Sequence, residues 1–145
     1  MFPVGLLILW SAVGCVPVPV PDPDPVDEGG LAIAGSYAGE FGGTWTITES
    51  ELIFSYGDST VLEIVAYDND ERFIVAQNGS KDPYNPDLFS RFDWIVDGDG
   101  VLICQQVFDA ETQTDAENAT PADSSDPENG GCGDKSFAFT RLTPG

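Results

Sequence analysis

From residue 31 onward the chain is cut into short β-type runs by turn residues at close intervals, and this punctuation limits the fold more than any other feature. Thr44-Trp45-Thr46-Ile47-Thr48 alternates polar and apolar residues and puts Trp45 and Ile47 on one face. Leu52-Ile53-Phe54-Ser55-Tyr56 follows, ended by Gly57-Asp58. Residues 61–67 form a longer run ended by Asp68-Asn69-Asp70, and residues 73–76 one ended by Asn78-Gly79. A loop with two prolines, residues 81–87, precedes a run over 89–96. Asp97-Gly98-Asp99-Gly100 then reads as a hairpin turn, because Asp-Gly tolerates the positive φ such turns require. Residues 101–108 form the return strand, and residues 136–142 a last one. With 36–41 included, about eight strands follow one another through mostly short connections. An all-β antiparallel meander is expected, rolled into a barrel or strongly curled sheet because closure removes exposed edges. A two-sheet sandwich is the alternative.

One stretch breaks the rhythm. Residues 109–119 tolerate a helix, with Asp109 as the expected N-cap. Residues 120–133 then turn to Pro, Asp, Ser, Asn and Gly. This insertion has little to bury. It is either a surface loop stapled to the domain or a lid over a binding mouth.

The N-terminal part has a different character. The run over 4–13 is almost wholly apolar, yet at about ten residues it falls far short of the roughly 20 that span a bilayer. It has the form of the h-region of a secretory signal. Ala12-Val13-Gly14-Cys15 resembles the lipobox of bacterial lipoproteins, although Met1-Phe2-Pro3 carries no Lys or Arg. The resemblance implies cleavage before Cys15, acylation of its thiol and, with Val16 rather than Asp next, sorting to the outer membrane. The organisation expected is a signal peptide over 1–14, a lipidated Cys15 with a tether over 15–30, and one β domain over 31–145. Proline alternates through Val16-Pro17-Val18-Pro19-Val20-Pro21-Asp22-Pro23-Asp24-Pro25, which removes backbone donors and fixes φ. That spacer is expected to be an extended polyproline segment reaching roughly 35 Å.

If Cys15 goes to lipid, Cys104 and Cys132 remain as a pair in an oxidising compartment, where a disulfide is expected. Zinc is disfavoured, since the chain has no histidine and two thiolates lack companions. The formal net charge is −20, from 25 acidic against 5 basic residues. That balance excludes nucleic acid, which needs a basic surface, and electrostatic adhesion to anionic lipid. The acids fit a solvated surface for saline surroundings, divalent-cation sites, or attraction of a basic partner.

Two further resemblances cover the folded region. Ala76-Gln77-Asn78, Asn85-Pro86, Leu88, Ser90-Arg91-Phe92-Asp93-Trp94, Cys104-Gln105 and Gly131-Cys132-Gly133 look like a group of lipid-anchored proteins of Gram-negative bacteria; this implies a fold-sized unit and no activity. Gly43-Thr44-Trp45 with Arg141 is similar to calycins, the eight-stranded ligand-binding barrels. There an Arg near the last strand packs on the Trp of the first.

Without histidine there is no Ser-His-Asp or Cys-His nucleophile system. No Gly-rich phosphate loop follows a strand. Carboxylate pairs of glycosidase type are permitted by residue type, but with this many acids a pair carries no information. A non-enzymatic domain without a cofactor is expected, anchored to the membrane by lipid and meeting a small ligand or another envelope protein. Arg91 and Asp93 share a strand face with Phe89 and Ile95. They are expected to form a salt bridge in the barrel interior or the polar end of a pocket, joined by Gln77 and Gln105. Trp45, Tyr67 and Trp94 are expected in the core or barrel wall, or as ligand-stacking surfaces. Asp68 and Asp70, and Asp97 and Asp99, offer calcium-type oxygens but lack EF-hand spacing, and ordinary turn chemistry also accounts for them.

Overall fold

A computed structural model of the chain describes Gly14 and residues 29–145. Cys15, the apolar run before it and most of the spacer lie outside the described residues. The order of elements is β1 (Gly35–Gly39), β2 (Thr44–Ile47), β3 (Glu51–Ser55), β4 (Ser59–Asp68), β5 (Phe73–Gln77), β6 (Phe89–Asp97), β7 (Gly100–Ala110), α1 (Gln113–Glu117) and β8 (Thr140–Pro144). Each strand pairs antiparallel with the next, and β8 pairs with β1, so the meander is a closed barrel rather than a sandwich.

Alternation decides the interior. Trp45 and Ile47 of β2, Leu52 of β3, Leu62 and Ile64 of β4, and Ile74 and Ala76 of β5 point inward. Phe92 and Trp94 of β6, Val101 and Ile103 of β7, and Leu142 of β8 complete one contiguous cluster. The Trp94 indole packs in this cluster, and among the described residues its buried Nε1 has no hydrogen-bond partner. Tyr67 is partly buried against the same cluster. Leu31 and Ile33 also belong to it, so residues 30–34 close one end of the barrel. Asn69, in the β4–β5 turn, fastens that plug: its Oδ1 accepts from Ala32 N and its Nδ2 donates to Gly30 O.

The two halves of the barrel wall differ. Exposed or half-buried residues alternate with buried ones along β2 and over residues 61–64 of β4. β5, the middle of β6 and the first half of β7 are buried on both faces, because the insertion between β7 and β8 covers them outside. Ala116 of α1 packs on Phe73 and Val75. Cys132 and Phe139 pack on Leu102 and Cys104. Cys104 and Cys132 form the disulfide, with Cα atoms 5.6 Å apart.

Three local expectations are corrected. Asp109 does not cap the helix; β7 continues through Ala110, opposite Phe89. The N-cap is Thr112, whose Oγ1 accepts from Asp115 N. The last strand begins at Thr140 rather than Ser136, since Ser136 lies at φ 54° and Phe137 pairs only with Cys132. β1 stops at Gly39, and Phe41 stands exposed in the turn that follows.

Candidate functional site

The end of the barrel opposite the plug is open. β5 runs between the two ends, with Asn69 before it and Asn78 after it. Beyond Asn78, the loop over residues 79–88 borders a cavity of about 650 Å³. Phe54, Leu62 and Thr60 line its wall, and Tyr84, Gln105 and Phe108 its rim. The cavity is a bowl above a filled interior. Phe54 stacks on Trp45, with ring centroids 4.9 Å apart and planes at 25°. Trp45 in turn donates from Nε1 to the Tyr56 hydroxyl at 3.0 Å.

Asn78 builds the mouth. In the sequence, Asn78-Gly79 reads as a turn signal that ends β5, yet Asn78 is only 4% exposed. Its Nδ2 donates to Asn85 O at 3.0 Å and to Phe108 O at 2.9 Å, tying the 79–88 loop to the end of β7. Its Oδ1 accepts from Ser90 Oγ at 2.7 Å, and Ser90 Oγ accepts from Gln105 Nε2 at 3.1 Å. The loop has its own lock: Asp82 Oδ1 accepts from Tyr84 N and Asn85 N. Asn78 and Ser90 fall within one of the resemblances above, but their partners lie on three separate segments, which no local pattern can announce.

Arg91 and Asp93 form a buried ion pair, as one of the two expectations had it, but on the outside of the barrel wall and not in its interior. Arg91 Nη2 lies 2.9 Å from Asp93 Oδ1, with side-chain exposures of 2% and 9%. Nη1 donates to Glu117 O at 2.6 Å, satisfying a carbonyl at the end of α1. The guanidinium sits 4.3 Å over the Phe73 ring, and Asp93 Oδ2 accepts from Ala122 N. The pair therefore bolts the insertion to β6. Inward positions of this strand belong to Phe92 and Trp94, which leaves its odd positions outside.

Gln77 and Gln105 do not join that cluster. Gln77 donates to Asp87 O on the outer wall, and Gln105 belongs to the mouth. Gln106, which the sequence does not single out, stitches the insertion down: its Oε1 accepts from Gly133 N and its Nε2 donates to Thr120 O. The insertion is thus a stapled cover on the outer wall rather than a lid on the mouth.

Arg141 is half-exposed on the outer face of β8 and pairs with Asp97 and Glu128. Those hydrogen bonds push its pKa up, Asp97 contributing most. Trp45 and Arg141 therefore hold separate partners. Asp68 Oδ1 accepts from Asp70 N and Glu71 N, a turn held by its own side chain. Asp99 is exposed in its hairpin. Among the described residues, no group of three or more Asp, Glu, His or Cys is arranged to hold a metal ion.

A scan against protein-family models and searches of curated proteins and of solved structures find no match to this chain.

Proposed function

We propose that this is a lipid-anchored protein of a Gram-negative cell envelope whose barrel is a non-enzymatic binding domain, taking its ligand at the open mouth. The observation that carries the binding half is the bowl beside Phe54, Leu62, Tyr84 and Phe108. It is concave, mixed in polarity, and braced by a buried hydrogen-bonded chain, as small-ligand sites tend to be. A calycin-like carrier would enclose its ligand, whereas side chains from Trp45 to Trp94 already fill this interior. The ligand therefore sits at the rim. Asp82 is the one carboxylate among the described residues that line the bowl, whereas a two-carboxylate hydrolase needs a facing pair.

The anchoring half rests on the lipobox resemblance and the proline spacer. Orientation is compatible with both halves: residues 30–34 enter the domain at the plugged end, opposite the mouth. A second reading, contact with another envelope protein, is favoured by Phe137, 66% exposed beside the disulfide.

Native mass spectrometry of the protein purified from membranes tests both halves. The expected product begins at an acylated Cys15 and carries retained ligand. Cys15→Ser is expected to leave the membrane fraction with an unchanged melting temperature. A variant that stays membrane-bound, or a bare Cys15 thiol in the native protein, would refute the anchor.

A further inference from the structure

We infer that the mouth takes a segment of neutral carbohydrate chain; this rests on the binding reading above and names its ligand class. The first observation is the Gln105 amide. A side-chain amide has two N–H donors and an oxygen with two lone pairs. One donor of Gln105 is given to Ser90 Oγ, which is itself held by Asn78. Ser90 and Asn78 are buried, whereas Gln105 is exposed, so the interior fixes an amide that faces the cavity. Among the described residues no partner takes its carbonyl or its second N–H. A donor beside an acceptor at fixed spacing matches two neighbouring sugar hydroxyls, each able to give one hydrogen bond and take another.

The second observation is the aromatic rim. Tyr84 is 86% exposed and Phe108 52%, yet neither backbone is loose. Asp82 locks the turn that carries Tyr84, and Asn78 holds the Phe108 carbonyl. The negative face of an aromatic ring favours the polarised C–H groups that line one face of a pyranose. Aromatics on held backbone beside a positioned amide offer the two contacts such a ring needs.

Charge and shape exclude the nearest rivals. Among the described residues the cavity wall holds no Lys or Arg, and a net charge of −20 repels phosphorylated, sulfated or carboxylated ligands. A fatty acyl chain needs an enclosed apolar chamber, and this interior is filled. An extended peptide would add to a free sheet edge; the β1–β8 pairing closes the sheet, and along β7 beyond Ile103, its last β8 partner, the insertion is stitched to Cys104 and Gln106. A sugar chain lying across the bowl keeps its outer hydroxyls in water.

The test titrates the full chain, in a sugar-free detergent, with maltohexaose, cellohexaose and chitohexaose, following backbone amides by NMR. At least one hexasaccharide is expected to shift residues 78, 84, 105 and 108 saturably. Tyr84→Ala and Gln105→Ala are each expected to weaken it about tenfold, the loss of one good contact; Tyr84→Ala keeps the melting temperature, and Gln105→Ala, which also removes the bond to Ser90, lowers it by no more than about 5 °C. Binding that survives both substitutions overturns the inference. Decanoate and an uncharged decapeptide are run alongside. If either of these moves the mouth amides and no sugar does, the carbohydrate class is wrong and the mouth is still a binding face. If no probe moves them, the inference and the binding reading both fall.

Discussion

Asp93→Ala removes one half of a charge pair sealed between β6 and the insertion. Arg91 would lose the acceptor for its Nε, 3.2 Å away, and for its Nη2, 2.9 Å away. It would keep Glu117 O and the Phe73 ring, which do not neutralise it. Ala122 N would lose its acceptor as well. Deleting one partner of a buried pair costs about 3–5 kcal/mol, because the charge left behind is neither solvated nor paired. That is a large share of the roughly 5–15 kcal/mol that holds a domain folded. Equilibrium urea unfolding followed by tryptophan fluorescence reads it directly. With a slope of about 2 kcal/mol per molar, the midpoint is expected to fall by about 2 M. The double change Arg91→Met with Asp93→Leu removes both charges at similar volume and is expected within about 2 kcal/mol of the parent. Amide exchange over residues 116–122 is expected to quicken in Asp93→Ala, since opening the insertion is how Arg91 reaches water. A loss below about 1 kcal/mol would mean that water already reaches the pair, and the insertion would not be a sealing cover.

Three other outcomes follow from the same contacts. Replacing Cys104 and Cys132 together by Ala frees a loop with a separation of 28 residues. In the chain-entropy account this costs about 3.5 kcal/mol, measured by thermal unfolding. Gly43→Ala is expected to destabilise by about 1–3 kcal/mol and to exceed Gly42→Ala in urea unfolding. Both glycines sit at φ +83°, but only at Gly43 would a Cβ meet Ser55 O, at 2.1 Å. The third outcome concerns pH. Burial pushes the Tyr37 phenol up from its ordinary value, so the folded chain holds that proton more tightly than the unfolded one. Its contribution is whole below about pH 10 and is lost as pH rises through the folded pKa. The neutral hydroxyl also donates to Ile33 O in the plug. Tyr37→Phe is expected to flatten the alkaline limb of a stability–pH curve; an unchanged limb would show that this phenol does not govern it.

The run of about eight antiparallel strands was readable because strands and tight turns are local; that it closes into a barrel, not a curled sheet or sandwich, rests on the distant β1–β8 pairing. Thr44 to Ile47 alternates within four residues, and Asp97-Gly98 turns within two. The burial of Arg91 with Asp93 was readable too, since period two puts both on one face. The side on which that face lies was not. β6 is covered inside by the barrel and outside by the insertion, and alternation carries no inward label where both faces are buried.

The mouth was less readable still. Gln105 and Tyr84 look like ordinary strand and loop residues, and Asn78 like a turn residue. Their roles arise from hydrogen bonds that reach Asn85, Ser90 and Phe108 across three segments. Alone, then, the sequence determined the approximate strands, their antiparallel succession and the shared face of Arg91 and Asp93, because each follows from neighbours a few residues apart. Tertiary structure alone decided which wall the insertion covers, which end is plugged and which amide faces the open mouth, because those depend on contacts between segments that closure of the barrel brings together.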